Sequence, residues 1–347
     1  MDRNGKILLS IVIPTYNGGV WIKDTIMSVL YQIGPFKDKV EFIIRNNAST
    51  DDTKEVICEC DKLYPGIIRY IETPETIVSY NNYIAGVKDA TGEFVQILGD
   101  DDLFMPNYFQ SILPLLEDKE LDYIYLNRLI TSREYDTDVV LHGKKTNKLF
   151  YKTYSDGGDL LNDYLEGPSL LSVNIIRRDV ILDKLNSAKP FYDGYVFYSI
   201  TVNSILDKKC MAFFPPMILQ RIPRKRKRSD KMLLYVSDIC DIFQDLDKRY
   251  PGINNKWKAK QKKEDALFYH LGCIHQNPQL YKSKKEQYYK FLTPFEKFHA
   301  IMLLHFRPFY YYYFLEYNLF KIGQLFADNF IDVLKQKISW KKTTAGQ

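Results

Sequence analysis

Three consecutive carboxylates, Asp100, Asp101 and Asp102, follow the apolar run Phe94–Leu98 after a single glycine, Gly99. Adjacent carboxylates repel one another, so a folded site needs a cation or wide solvation to hold them. Hard oxygen ligands favour Mg2+ or Mn2+, ions that usually share their coordination with substrate phosphates. An acidic turn exposed to water is the other reading of three aspartates alone. Their place directly after a buried strand moves the balance toward a metal site. Two more polar clusters follow apolar runs in the same manner: Pro14-Thr15-Tyr16-Asn17, and Asn46-Asn47-Ala48-Ser49-Thr50-Asp51. In open α/β sheets, ligands bind beyond the carboxyl ends of the strands.

The elements that must position these clusters can be read from periodicity. Residues 7–14 are β-rich and almost continuously apolar, as in a central parallel strand buried on both faces. A helix is predicted over about 20–32, a strand over 40–45, a helix from Ser49 to about Leu63, and a strand over Ile67–Ile71. A helix near 79–90 leads into a fourth strand over 93–98. Strands alternating with helices predict an α/β fold, a three-layer sandwich with a mostly parallel sheet. Past Asp102 the alternation weakens to a helix over 107–117, strands over 122–131 and 169–177, a helix near 195–206 and two strands around 210–222. The basic run Arg224-Lys225-Arg226-Lys227-Arg228 then marks a change of character. Beyond it, Met232, Leu233, Val236, Ile239, Phe243 and Leu246 recur at helical spacing, and Thr293-Pro294-Phe295-Glu296 is a helix start with cap, proline and capping-box glutamate. A boundary near 228 separates a first domain, 1–228, from a helical C-terminal region, 229–347.

Composition bounds the function class. The chain has 347 residues, 46% hydrophobic, which is enough for one large and one smaller globular unit. A net charge of +5 gives no strong case for nucleic acid. Five scattered cysteines do not read as a disulfide framework and suit a reducing cytoplasm; Cys58 and Cys60 lack a second pair for zinc. Aromatic residues are abundant, 27 Tyr and 21 Phe, and suit sugar-facing clefts, interfaces and membrane surfaces alike. The N-terminus shows no cleavable signal pattern, and no uninterrupted apolar stretch is long enough to span a membrane.

Three segments in order, Ser10-Ile-Val-Ile-Pro-Thr-Tyr-Asn17, Phe42-Ile-Ile-Arg-Asn-Asn-Ala-Ser-Thr-Asp51 and Ala90-Thr-Gly-Glu-Phe-Val-Gln-Ile-Leu-Gly-Asp-Asp-Asp102, closely resemble a family 2 glycosyltransferase. The likeness covers about the first 105 residues, and the Leu-Gly-Asp-Asp-Asp form is similar to bacterial transferases that build O-antigen and capsule chains. The resemblance implies a GT-A fold and inverting sugar transfer from a nucleotide-sugar, UDP-linked by expectation, with Mn2+ or Mg2+. It implies that Pro14, Thr15 and Tyr16, with Asn17, line the nucleobase and ribose, and that 1–105 is the nucleotide-sugar half. Asn46 stands where the family usually has an Asp that contacts the base, which leaves the base less defined. Ser49 lies in the same nucleotide-binding loop. Asp51 would cap the following helix or contact the base region, and Asn82 would face the nucleotide-sugar. Gly99 stands where the usual Asp-x-Asp-Asp arrangement has its first Asp. Asp101 then aligns with the main metal ligand, with Asp102 as the second, supporting metal residue; Asp100 would contact sugar or ribose.

Inverting transfer needs a carboxylate to take the acceptor's proton and a cation to stabilise the departing diphosphate. In the family the base lies roughly 90 residues past the metal motif, and Lys189-Pro190-Phe191-Tyr192-Asp193-Gly194-Tyr195 falls there. Asp193 is the chosen base; a plain helix N-cap is the other role open to it, and Asp156 and Asp159 are its rivals. Arg221 matches a place where these enzymes carry Arg or His near the diphosphate. The run 224–228 would close over that diphosphate or serve as a solvated linker. His270 and His275 are read as structural.

The acceptor half is placed at 106–228, and its saccharide or lipid-linked acceptor is not named by any residue. The stretch 301–326 is rich in Phe and Tyr, with Tyr310–Tyr313 in a row, and is interrupted by Arg307, Glu316, Asn318 and Lys321. It can lie on the inner face of a membrane as a peripheral contact, helped by Lys335, Lys337, Lys341 and Lys342, or pack on protein and form a homodimer. Two alternatives stand beside an enzyme in cytoplasmic polysaccharide assembly. A nucleotidyltransferase would open with a Gly-rich basic phosphate loop, which this chain lacks. A non-catalytic sugar- or membrane-binding module would not need the acidic cluster.

Overall fold

The computed structural model of the chain describes residues 6–132, 140–142, 150–165, 167–186, 196–222, 239 and 241–263. All seven residues of β1, Leu9–Thr15, are buried, as a continuous apolar run requires. Helix α1, Gly19–Ile33, buries Ile22, Ile26, Val29, Leu30 and Ile33, one stripe of an amphipathic helix. It ends where Gly34 and Pro35 tighten the chain into a 3-10 turn. Strand β2, Val40–Asn46, is almost wholly buried, and α2, Thr53–Leu63, returns along the sheet. Strand β3, Ile68–Glu72, is half-buried, as an edge strand should be. Helix α3, Ser79–Asp89, and β4, Phe94–Ile97, complete the first half.

These four strands are parallel in the order β3-β2-β1-β4. The register sets Thr15 beside Asn46 and Asn46 beside Glu72. Leu98 continues β4 by donating its N–H to Val12 O. The three polar clusters therefore emerge side by side at one carboxyl edge.

The second half begins with β5, Leu103–Phe104, and α4, Tyr108–Ile112, which tightens into a 3-10 turn over Leu113–Glu117. It continues with β6, Tyr123–Ser132; β7, Val140–His142; β8, Tyr151–Tyr154; and α5, Gly157–Tyr164. Then come β9, Asn174–Arg177; α6, Arg178–Asn186; α7, Val196–Ile205; and β10, Cys210–Ile222. The sheet runs on as β4-β9-β6-β10-β5, with β7 on β6 and β8 on β10. Here it is mixed: β9 is antiparallel to both β4 and β6, β6 and β10 are parallel, and the rim strands β5, β7 and β8 are antiparallel. The parallel character expected for the sheet thus holds for its first half. The two strands expected around 210–222 are one. Pro215 and Pro216 cannot donate to the ladder, yet the register slips between Phe213 and Pro216, and again before Ile218, so the strand passes through an irregularity instead of stopping.

The chain divides into two compact units, Met1–Lys227 with Ile242–Asn254, and Arg228–Asp241 with Asn255–Gln347. The segment 242–254, read from sequence as C-terminal, belongs to the first unit. Tyr250 shows why: its hydroxyl donates to Asp156 Oδ2 at 2.7 Å, and its ring lies where any side chain on Gly158 would sit. Among the described residues no helix is long and apolar enough to cross a membrane. Asp193, the run 224–228, His270, His275, Thr293 and the aromatic stretch 301–326 lie outside the described residues.

Candidate functional site

Two loops at the carboxyl edge each turn through a left-handed residue, Asn17 at φ 52° after β1 and Ala48 at φ 51° after β2. Asparagine tolerates this conformation better than alanine. The loops are sewn together. Asn17 N donates to Ser49 Oγ at 2.9 Å, and Thr50 N donates to Asn17 Oδ1 at 2.8 Å. Asp51 joins both following helices: its Oδ2 accepts from Gly19 N at the start of α1, and its Oδ1 from Thr53 N and Thr53 Oγ1 at the start of α2. Burial would raise the Asp51 carboxyl, but these bonds hold it below the ordinary range. Asp51 thus bonds the first residue of each of two helices. Pro14 is buried beneath the loop, whereas Tyr16 is 49% exposed at its tip.

The acidic loop after β4 is held from several sides. Thr15 Oγ1 donates to Asp100 Oδ2 at 2.7 Å, and Thr25 Oγ1 on α1 donates to Asp100 O at 2.9 Å. Gly18 is required at this crossing, since a Cβ there would stand 2.5 Å from Thr15 Oγ1 and 2.6 Å from Asp100 Oδ2. Asp102 is 3% exposed. Its Oδ2 accepts from Ser172 Oγ at 2.5 Å and its Oδ1 from Arg221 N at 3.2 Å. Ser172 Oγ also accepts from Gly99 N at 2.9 Å, so one hydroxyl spans both ends of the loop. Burial pushes the Asp102 carboxyl up to about 6, against the pull of the Ser172 bond and of the Arg128 and Arg221 charges. Asp100 and Asp101 remain partly exposed. A Cβ at Gly99 would stand 3.2 Å from Asp101 Oδ1 and from Asp102 Oδ2, a tight contact.

Three sequence expectations change in the structure. Arg221, expected at the diphosphate, is 4% exposed and its guanidinium is spent on protein. Nε donates to Asp101 O at 2.6 Å, one Nη to Asp24 Oδ2 at 2.9 Å and the other to Trp21 O at 3.1 Å, with the Trp21 ring 5.7 Å away. It clamps the acidic loop to α1. Asn46 is fully buried: Oδ1 accepts from Ser49 N and Oγ, while Nδ2 donates to Tyr70 Oη at 3.0 Å, so it shapes the loop and does not face a base. Asn82 is 2% exposed and closed on Arg45, accepting from Nε and donating to Arg45 O, so it ties α3 to β2 and faces no cleft. Of the rival bases, Asp156 caps α5, accepting from Gly158 N at 2.8 Å, and also receives the Tyr250 hydroxyl.

Among the described residues no group of three His, Cys, Asp or Glu side chains is gathered for a metal. The donors present still fit Mg2+ or Mn2+. Those ions are commonly held by one or two carboxylates with substrate phosphates completing the shell, and Asp100 and Asp101 are two partly exposed carboxylates on one pinned loop.

Sequence reasoning missed Ser172, Thr25 and the Trp21–Asp24 turn of α1. One signal was available. Gln96 is a polar residue inside a buried strand, and polar groups there must find partners. It accepts from Tyr108 Oη at 2.5 Å and donates to Ser172 O at 2.7 Å, so it leads straight to the serine under the acidic loop.

Residues 10–178 match the family model described as Glycosyl transferase family 2. Among curated proteins, the chain is 34% identical over 108 residues to the Uncharacterized glycosyltransferase MG025 homolog of Mycoplasma pneumoniae, covering 31% of this chain and 36% of that protein. It is 28% identical over 197 residues to the Minor teichoic acid biosynthesis protein GgaA of Bacillus subtilis, covering 55% and 42%. The likeness thus spans well under two thirds of either relative. Among solved structures, S. aureus TarS 1-349 in complex with UDP-GlcNAc superposes with a TM-score of 0.50 at 15% identity, covering 79% of this chain and 81% of that one. The mannosyltransferase PcManGT of Pyrobaculum calidifontis, in complex with GDP-Man and Mn2+, gives 0.51 at 14%, covering 86% and 84%. The shared fold is GT-A.

Proposed function

We propose that the chain, whose residues 10–178 match the family model described as Glycosyl transferase family 2, transfers a sugar from a nucleotide-sugar to an acceptor hydroxyl, with inversion, in the assembly of a surface polysaccharide. The observation that carries this is the acidic loop. Asp100 and Asp101 stand partly exposed at the carboxyl edge, and Thr15 joins them to the loop after β1. The TarS and PcManGT complexes, with UDP-GlcNAc and GDP-Man, support a nucleotide-sugar donor, UDP-linked on our reading. The teichoic acid biosynthesis relative supports a place in surface-polymer assembly, with a saccharide or lipid-linked saccharide as acceptor on our reading.

Asp101, with Asp100, would hold Mn2+ or Mg2+. Such an ion, when bound, neutralises charge on a departing diphosphate. The chain's own residues supply position. Asp102, Ser172 and Arg221 hold the loop under those carboxylates, so no reorganisation is needed when charge develops. Tyr16 offers an exposed ring for the nucleobase, and Ser49, Asn17 and Asp51 keep the facing loop in shape. Asp193 is assigned, from its distance past the metal motif, as the carboxylate that takes the acceptor hydroxyl's proton. The residues 106–228 would form the acceptor half. The C-terminal region, 229–347, would hold the enzyme on the inner face of the cell membrane, or pair two copies.

A donor screen tests this. Release of UDP, GDP or CDP from their sugar conjugates is measured with and without Mn2+. Metal-dependent release from one donor, lost in Asp193→Asn while donor binding survives, is expected. A protein that binds sugars or membranes but turns over no donor is a module without catalysis and defeats the reading.

A further inference from the structure

Arg221 was the arginine expected to meet a phosphate, and its three nitrogens are consumed by Asp101, Asp24 and Trp21. Other described arginines are likewise engaged. Arg45 is closed on Asn82 and Asp89, Arg177 on Glu93 and Asp122, Arg69 on Glu41, and Arg249 on Asp207. Arg128 is different. Its Nε is buried and has no hydrogen-bond partner among the described residues. One Nη makes a long bond, 3.4 Å, to Gly167 O, and no ion pair to a described residue involves it. An arginine left in this state is costly, because its five donors are a fork shaped for carboxylate or phosphate.

The sheet puts this arginine beside the acidic loop. Arg128 on β6 pairs with Ile218 on β10, and Ile218 pairs with Phe104 on β5, two residues past Asp102. Two strand spacings span about 10 Å, most of which an extended arginine crosses. Gly167, its acceptor among the described residues, opens the short segment that leads to Ser172, the serine under the loop. The Arg128 charge is also felt at Asp102.

We infer that Arg128 is an oxyanion-binding residue beside the acidic loop, taking a substrate phosphate on the guanidinium donors that no described residue engages. The inference rests on the glycosyltransferase reading for the presence of that phosphate. The phosphate has two sources, the donor's diphosphate or a phosphate carried by the acceptor.

Full-length protein is titrated calorimetrically with UDP, GDP and CDP in the presence of Mn2+, and with inorganic phosphate added to the nucleotide-bound protein. The proteins compared are wild type, Arg128→Gln and Arg128→Lys, each checked by thermal melting. Loss of a charged bidentate contact weakens binding about tenfold or more in Arg128→Gln, with Arg128→Lys between the two. A loss on the nucleotide identifies the donor's diphosphate. A loss on phosphate alone identifies an acceptor phosphate. Unchanged affinity for both probes in a folded variant overturns the assignment. Should Arg128→Gln fail to fold, a folded Arg128→Lys with wild-type affinities overturns it equally. If wild type binds none of the three nucleotides, the glycosyltransferase reading itself falls and the inference with it, an outcome distinct from the others.

Discussion

Ser172 Oγ donates to Asp102 Oδ2 at 2.5 Å although the two residues stand 70 positions apart. The same hydroxyl accepts from Gly99 N, so a serine in the turn before β9 fixes both ends of the acidic loop after β4. Strand β9 lies antiparallel against β4, and that pairing brings the turn to the loop.

Ser172→Ala removes the donor to a carboxylate that is 3% exposed. An unsatisfied buried partner costs about 1–3 kcal/mol. The expected outcome is a lower melting temperature together with reduced turnover. Ser172→Thr, which keeps the hydroxyl, should recover part of both. Thermal melts and nucleoside diphosphate release measure the two effects.

Asp101 and Asp102 should separate cleanly. Asp101 is partly exposed, so Asp101→Ala keeps the fold and abolishes metal-dependent turnover. Asp102 is buried and bonded on both oxygens, so Asp102→Ala strands the Ser172 hydroxyl and the Arg221 N–H and destabilises by about 3 kcal/mol. Circular dichroism melts beside activity assays decide this. Equal melting of the two variants counts against the division of roles.

Arg221→Lys keeps the charge and loses the fork that reaches Asp101 O, Asp24 and Trp21 O together. Turnover should fall through a displaced loop, with a loss of roughly 2 kcal/mol of stability. A variant that melts like wild type and shows only a raised KM for the donor would place Arg221 back at the diphosphate.

Glu93 pairs with Arg177 and Lys6. Burial would raise its carboxyl, but those partners hold it below the ordinary 4.5. A depressed folded-state pKa means that the unfolded chain binds the proton first. The stabilisation is present above the unfolded pKa and is lost as pH falls through the folded one. Denaturant titrations from neutral pH to the acid limb should therefore show a shallower decline in Glu93→Gln than in wild type, from a lower starting stability.

Gly18→Ala should lower activity more than stability. Its methyl group lands between Thr15 Oγ1 and Asp100 Oδ2 and parts a bond that only orients the acidic loop. Melting temperature and turnover, measured on the same preparation, give the comparison.

Much of the fold is legible along the chain because it is local. Seven buried residues in β1 and the stripe on α1 follow from apolar periodicity, and polar residues after each strand announce the carboxyl edge without any contact map. The acidic run, its partner Thr15, and Ser49 and Asp51 in the neighbouring loop are visible for the same reason: each sits next to the strand that places it. What a polar side chain does once there is decided in three dimensions. Asn46 and Asp102 look as available as Asp101 in sequence. Yet parallel pairing with β3 brings Tyr70 against Asn46, and the antiparallel turn before β9 brings Ser172 against Asp102. Arg221 and Arg128 are both arginines on long strands. Bonding to α1 occupies the first, while the second keeps a buried Nε with no partner among the described residues. Hydrogen-bond satisfaction is a property of neighbours in space, and neighbours distant in sequence, 24 residues apart for Asn46 and Tyr70 and 70 for Asp102 and Ser172, are set by sheet order, which no local pattern encodes.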